Sequence, residues 1–435
     1  MDQKPALKPF TSYEKFIIAV ITLIQFTIVL DFMVISPLGP FLMKSLQLTP
    51  DKFGHVVAAY AFSAFLSGLL AAGVADRFDR KKFLLFFYTG FVIGTLFCAL
   101  APSYETLLLA RVVTGIFGGV IGAVSMAIIT DLFEINQRGR VMGFTQMGFA
   151  VAQVLGIPIS LLMAPYWGWN SPFYLIVGVA AIGGIVMVMK MKPITAHLSL
   201  QNGKSGNALP HLINTLKKKR YQTAFITSAL LPLGGYMLMP FGSAFAEHNL
   251  GVDPKILWFI FIPTGIASMI AFPVLGKLSD KFNKLAIFAI ASLWAMIMVV
   301  IHTHWGLIPL WLVITSNILM FIGIMGRIVP ATILISAIPE MKDRGAFMSI
   351  NSSLQQLAGG IGAVAAGLII TQPNETGPLL HMDTVGFVIV GLTIIQIYMM
   401  YRVYNLVKDQ LPAPGKKGPS GSPAPKNEEP VLAAE

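Results

Sequence analysis

The chain alternates long apolar runs with short polar breaks. Cutting at charges and turn residues leaves runs at 16–42, 53–74, 83–101, 104–133, 141–164 and 172–190, then at 222–246, 255–275, 285–303, 306–338, 346–371 and 384–403. A bilayer core about 30 Å thick needs roughly 20 apolar residues per helix. The pattern therefore predicts an all-α integral membrane protein with twelve spanning helices, six and six. Runs longer than about 25 residues imply tilt or extension past the bilayer. The first run is too long for the apolar core of a signal peptide and ends without a small-residue cleavage site, so it is read as a retained span.

The polar breaks repeat. AAGVADRFDRKK at 71–82 is answered by LGKLSDKFNK at 275–284, which matches Asp76 with Asp280, Arg77 with Lys281 and Phe78 with Phe282. EINQRGRVMG at 134–143 is answered by EMKDRGAFMS at 340–349, matching Glu134 with Glu340, Arg138 with Arg344 and Gly139 with Gly345. Two anchors at nearly one offset indicate an internal duplication, the usual construction of secondary transporters. The chain divides into an N-terminal segment (1–15), a first bundle (16–190), a linker (191–220), a second bundle (221–404) and a tail (405–435). The end of the linker, HLINTLKKKR at 211–220, reads either as an amphipathic helix on the membrane surface, lysines toward anionic headgroups, or as a solvated basic connection. From Leu411 the tail is rich in Pro, Gly and Ser and is expected to be disordered.

Composition narrows the function class. With 55% hydrophobic and 12% charged residues over 435 positions, and a mean hydropathy of +0.73, a soluble globular protein is excluded, because such domains carry roughly a quarter charged residues. A net charge of +11 would fit a nucleic-acid partner only if the bases formed one face with aromatics interleaved. They sit instead in the breaks. If the N-terminus is cytoplasmic, only Lys44, Lys52 and Lys255 of the 31 lysines and arginines fall in outer loops, and Arg111 and Arg327 fall within spans. The positive-inside rule then places both termini in the cytoplasm. The single cysteine, Cys98, lies inside an apolar run, so neither an intrachain disulfide nor a metal cluster is read. HExxH and GxSxG are missing, and the GKS at 203–205 lacks the upstream glycine of a phosphate loop. No enzyme chemistry, metal ion or cofactor is expected.

Charge inside the spans carries the candidate chemistry. Asp31 is the only acid well inside a run, and an ionised carboxylate at that depth costs several kcal/mol unless paired or protonated. It is read as a functional group, against the competing reading of a carboxylate that only joins two helices. Arg111 is its expected partner. At 1.5 Å per residue both lie roughly 10–15 Å below the outer surface, a depth match that permits a salt bridge; the competing role for Arg111 is binding carbonyls or snorkelling outward. Arg327, in GIMGRIVPA, has no counterpart in the first half, and its planar fork suits an anionic group on a substrate. A local structural pairing is the equal alternative. Glycines 115, 118, 119 and 122, with 359, 360, 362 and 367, read as close-packing positions. Gln146, Gln153, Asn317, Asn351, Gln355 and Gln356 suit either packing or substrate contact.

At these residues the sequence resembles the major facilitator superfamily, from about Phe16 to Tyr404. The family signature GxLaDrxGrkk is matched by AGVADRFDRKK at 72–82, with Asp76, Arg77, Arg80 and Lys81 in place, Ala72 at the first glycine position and Asp79 at the second. The fourth-helix signature lxxxRxxqGxga is matched by LLLARVVTGIFGG, with Arg111, Gly115 and Gly118 in place and Thr114 where glutamine is common. On the fifth helix GFAVAQVLGIPIS offers Gly148, Gly156 and Pro158 of the antiporter element, with Ser160 where a further glycine is usual; the GWN at 168–170 is similar to the GWR of sugar- and drug-efflux members.

The resemblance implies two pseudo-symmetric six-helix bundles with a cavity between them, lined by the first, fourth, seventh and tenth helices. Arg327, Asn317, Gln153, Gln355 and Gln356 are expected at that cavity. Asp76, Arg77, Arg80, Asp131, Asp280, Arg138 and Arg344 are expected to form a cytoplasmic gate. In it Asp76 would cap the eleventh helix near Gly345 and Ala346, and Arg80 would reach Asp131 while the transporter faces outward. Taken together the expectation is a monomeric, proton-coupled secondary transporter of the plasma membrane, the inner membrane in a bacterium. It exports a small neutral or anionic amphipathic compound by alternating access, with Asp31 carrying the proton and Arg111 setting its affinity. Uptake of an anionic metabolite with protons is the alternative. A non-transporting receptor would gain nothing from three charges buried in the bilayer.

Overall fold

In hydrocarbon every backbone N–H and C=O must be satisfied within its own segment, so apolar runs of this length fold as helices. The computed structural model, which describes residues 9–71, 78–195, 208–340, 343–374 and 376–410, has twelve such helices among them: α1 (Ser12–Val34), α2 (Pro50–Leu70), α3 (Arg80–Leu100), α4 (Tyr104–Leu132), α5 (Arg140–Trp167), α6 (Ser171–Lys190), α7 (Lys219–His248), α8 (Pro254–Ser279), α9 (Lys284–Thr303), α10 (Leu310–Ser336), α11 (Arg344–Ile369) and α12 (Met382–Val407).

Polar residues at the breaks set the helix starts. Thr11 and Glu14 form a reciprocal capping box at α1, and Ser103 and Thr106 one at α4. Asn283 accepts from the amides of Leu285 and Ala286 at α9. Such caps satisfy donors that the first helical turn leaves free. Proline sets the breaks. The first apolar run is not one helix: α1 ends at Val34, ahead of Pro37, and the chain resumes as a short helix, Gly39–Leu46. Within α5 the residues Ala152–Gly156 widen into a π-helical turn, because Pro158 has no N–H to bond the carbonyl of Val154. Pro240 tightens α7 into a 3₁₀ turn over Met239–Phe241.

Three segment boundaries differ from the sequence expectation, the first because α1 already begins at Ser12. The linker contains a helix, Ala208–Lys217, and α7 already begins at Lys219. At the other end α12 continues to Val407, with a 3₁₀ turn to Gln410, so 405–410 extend the last helix. The tail from Leu411 lies outside the described residues.

α1–α6 form one bundle and α7–α12 the other. An even number of spans brings both chain ends to one face, called here the terminal face. The bundles meet chiefly along α2 and α11, where glycine lets the backbones touch. A Cβ at Gly54 would lie 2.7 Å from the carbonyl oxygen of Ala363, and one at Gly367 2.8 Å from that of Pro50. At the far face the short helix Gly39–Leu46 rests on the end of α7, and Phe53 meets Phe241 edge to face at 5.7 Å. α5 packs on α8 from its π turn outward, with Gly265 against Val154. At the far face the two bundles are thus in contact, and α2 stays on α11 as far as Gly68, where a Cβ would lie 3.5 Å from Ser353 Oγ.

Candidate functional site

The centre of the first bundle is built around one acid. Asp31 lies near the end of α1 and Arg111 near the start of α4, antiparallel helices that bring the two to one depth. Arg111 Nη1 donates to Asp31 Oδ2 at 2.9 Å, and neither residue is exposed to solvent. Thr95 of α3 donates to the other carboxylate oxygen at 3.1 Å. The guanidinium lies over the ring of Tyr60 on α2, 4.7 Å from Cζ to the centroid. Four helices therefore converge on one ion pair. Nε and Nη2 of Arg111 have no hydrogen-bond partner among the described residues. A buried pair of this kind gains little net stability, yet breaking it by removing one partner costs about 3–5 kcal/mol. Chemically it is a carboxylate whose charge is balanced by one guanidinium and one hydroxyl, and a proton arriving at Asp31 would compete with Arg111 for the same oxygen.

Glycines make that convergence possible. A Cβ at Gly115 would stand 2.0 Å from Ser63 Oγ and 2.4 Å from the Tyr60 carbonyl, and one at Gly118 2.5 Å from Tyr60 Oη. On α5, Gly148 packs on the Thr22 carbonyl and Gly156 on Leu30, which seats α5 against α1. Pro158 follows the π turn directly.

The cavity candidates fall in several places. Arg327 is 9% exposed, its Nη2 donates to Gln396 of α12, and its Cζ lies 5.9 Å from the Phe288 ring of α9. The guanidinium thus turns into its own bundle, with no carboxylate at ion-pair distance among the described residues. Asn317 donates to the Val313 carbonyl one turn back at 3.3 Å. Gln153 is buried inside the π turn of α5. Gln355 reaches Ser228 of α7 at 3.0 Å, and Gln356 beside it is half-buried.

At the terminal face, Arg80 Nε meets Asp131 Oδ2 at 3.0 Å, joining the start of α3 to the end of α4. Both residues belong to one bundle and need no closure to meet. Arg138 donates to the carbonyls of Phe133 at 3.1 Å and Thr130 at 2.7 Å, so it caps the C-terminal turn of α4, where a cation is favoured. Arg344 opens α11, exposed and without a hydrogen bond among the described residues. Asp76 and Arg77 lie outside the described residues, as does the side chain of Asp280. Asp79, at the family's second glycine position, accepts from the amides of Lys81 at 2.9 Å and Ile194 at 3.0 Å, capping α3 and tying down the chain after α6.

Sequence reasoning missed the polar junction of the second bundle. Asp343, 2% exposed at the start of α11, accepts from Lys218 and from Tyr221 Oη at 2.8 Å, and lies 3.8 Å from His211 Nε2 on the linker helix. The hydrogen bond from Lys218 holds the Asp343 carboxyl below the usual carboxylate range, and the same bond holds the Lys218 ammonium above the usual lysine range. Its signal was an acid directly before an apolar run, the N-cap pattern. Thr95, Tyr60 and Tyr236 were missed as well, since a hydroxyl on an apolar span carries no mark of its orientation.

Twelve helices of membrane-spanning length in two bundles, with a buried ion pair inside the first, are the architecture of a membrane transporter. The chain belongs to the Major Facilitator Superfamily, whose family model matches residues 21–363. Multidrug resistance protein 2 of Bacillus subtilis (strain 168) is 23% identical over 365 residues, covering 83% of this chain and 90% of that protein. A probable sugar efflux transporter of Helicobacter pylori (strain HPAG1) is 22% identical over 362 residues, covering 82% and 87%. Among solved structures, a bacterial homolog of the human lysosomal transporter Spinster, in its inward-facing and occupied conformation, aligns with a TM-score of 0.74 at 16% identity, over 93% of this chain and all of that one. The nucleoside transporter NupG aligns at 0.71 and 14%, covering 90% and 98%. These likenesses share the fold.

Proposed function

We propose that the protein is a proton-coupled exporter of a small neutral or anionic amphipathic compound, working by alternating access between the two bundles. The terminal face is the cytoplasmic one, on the loop charges, and the chain acts as a monomer in the plasma membrane, the inner membrane of a bacterium. The observation that carries this reading is the Asp31–Arg111 pair, fully buried and held by four helices. An acid in that position changes the charge of the buried site by one unit when it takes a proton, and a group whose surroundings differ between two states couples proton binding to their exchange. Export is favoured over uptake by the efflux relatives. The substrate class follows from the embedded charges: with Asp31 ionised, Asp31, Arg111 and Arg327 sum to plus one, which disfavours large organic cations. Following the resemblance, Asp76, Arg77, Arg80, Asp131, Asp280, Arg138 and Arg344 serve as the cytoplasmic gate.

The reading is tested in inside-out membrane vesicles with an imposed pH gradient and a panel of neutral, anionic and cationic amphiphiles. Proton-driven accumulation of a neutral or anionic compound is expected. Accumulation in right-side-out vesicles alone would support uptake of an anionic metabolite with protons instead, and transport indifferent to the gradient would overturn the coupling.

A further inference from the structure

The ion pair is connected to the opposite bundle by a line of rings. The Arg111 guanidinium lies on Tyr60; the Tyr60 ring meets that of Phe32 at 5.1 Å, and Phe32 meets Tyr236 of α7 at 5.7 Å. Tyr236 belongs to the second bundle, so the last contact crosses the seam that must rearrange when the bundles rock. Phe32 also follows Asp31 directly in the chain. Both ends of the line are clamped. Tyr60 is 3% exposed, with Gly118 beneath its hydroxyl. Tyr236 lies on α11, where a Cβ at Gly359 would come within 3.1 Å of its ring and one at Gly362 within 3.3 Å of its Cβ.

We infer that Tyr60, Phe32 and Tyr236 form a relay that makes the strength of the Asp31–Arg111 pair depend on how the two bundles are docked. Arg111 is held in this site by the Asp31 carboxylate, more weakly by the Asp31 main-chain carbonyl at 3.4 Å, and by the face of Tyr60, while its Nε and Nη2 find no acceptor among the described residues. A guanidinium on an aromatic face is held most strongly where water is excluded. With the far face closed, Tyr236 presses Phe32 onto Tyr60 and fixes that ring over the cation. When the bundles separate there, Phe32 loses its cross-bundle partner, its pressure on the Tyr60 ring falls, and Arg111 leans more heavily on Asp31. The two docked states then hold the carboxylate with different strength, which is the difference in affinity that coupling requires. Among the described residues, the charged and titratable groups facing Asp31 are Arg111 of α4, Tyr60 of α2 and Cys98 of α3, all in the first bundle. The three rings act through Arg111 and are positioning residues. The relay rests on the reading of Asp31 as the coupling acid.

The test needs no substrate. In the purified full-length protein, the carboxylic-acid infrared band removed by Asp31→Asn is followed as a function of pH, with secondary structure checked by circular dichroism. Tyr236→Ala should move the midpoint of that band by about one pH unit, a tenfold change in proton affinity, and Tyr236→Phe, which keeps the ring, should restore it. Phe241→Ala removes a cross-bundle ring contact of similar size at the far face, away from the pair, and should leave the midpoint within about a third of that shift. Should Tyr236→Ala not fold, Phe32→Leu serves in its place with the same expected shift. Equal shifts from Phe241→Ala and Tyr236→Ala, or none from either, would overturn the relay. A wild type with no pH-dependent band assignable to Asp31 would overturn the coupling reading itself, and the relay with it.

Discussion

Arg111 bonds a single carboxylate oxygen of Asp31 at 2.9 Å, with neither residue exposed to solvent. Removing the cation alone leaves a buried carboxylate without its counter-charge. Arg111→Met should therefore cost about 3–5 kcal/mol of stability, read as a lowered midpoint of thermal unfolding in detergent. The double variant with Asp31→Leu should recover most of that loss while transport stays absent. A single variant as stable as the wild type would show that the pair does not hold the bundle together.

Two glycines on α4 should respond in opposite directions. At Gly115 a methyl group would meet Ser63 Oγ at 2.0 Å and the Tyr60 carbonyl at 2.4 Å, whereas at Gly122 nothing lies within 4 Å. Gly115→Ala should destabilise by about 1–3 kcal/mol through overpacking. Gly122→Ala should be neutral or stabilise by up to about 1 kcal/mol, since alanine is the better helix former. Thermal unfolding of both variants separates a packing role from a general intolerance of the helix.

The junction at Asp343 sets a pH window for the linker helix. Its carboxyl is held below the unfolded-state value, so its contribution is complete above about pH 4 and is lost as pH falls through the lower folded value. Lys218 is shifted upward, so its contribution is complete below about pH 10 and is lost only as pH rises through its folded value. Hydrogen-exchange protection of Ala208–Lys217 should consequently stay flat between about pH 5 and 9 once the intrinsic rate is corrected. Asp343→Asn should lower protection throughout that range. A step near neutral pH would mean that Asp343 and Lys218 do not control the docking.

Arg327 distinguishes substrate selection from a role inside the bundle. Arg327→Lys keeps the charge and loses the fork, and should weaken binding of a carboxylate or phosphate compound by about tenfold while hardly affecting a neutral one. Unchanged affinity for an anionic compound would assign the residue to its contact with Gln396.

Much of the fold is legible in the sequence because the bilayer leaves an apolar run few choices: the number and order of the spans follow from hydropathy and polar punctuation. The depth match of Asp31 and Arg111 follows from counting residues along two antiparallel helices. Rotation is not legible in the same way. A helix apolar on nearly every face gives no stripe from which to read orientation, which is why Arg327 could be placed at a depth but not toward Gln396, and why Thr95, Tyr60 and Tyr236 carried no signal. Prolines mark where a helix is disturbed, but the sequence does not distinguish the π turn before Pro158 from the full break between Val34 and Gly39.

Proton-driven accumulation by Asp31→Asn, measured beside substrate exchange without a gradient, bears most directly on the role of the buried pair. In vesicles carrying equal amounts of folded protein, the variant should lose accumulation driven by the pH gradient while keeping a substantial part of the exchange, because the neutral amide fills the same space but holds no proton. A variant that still concentrates a compound against its gradient, with protons as the only driving force, would place the coupling site elsewhere.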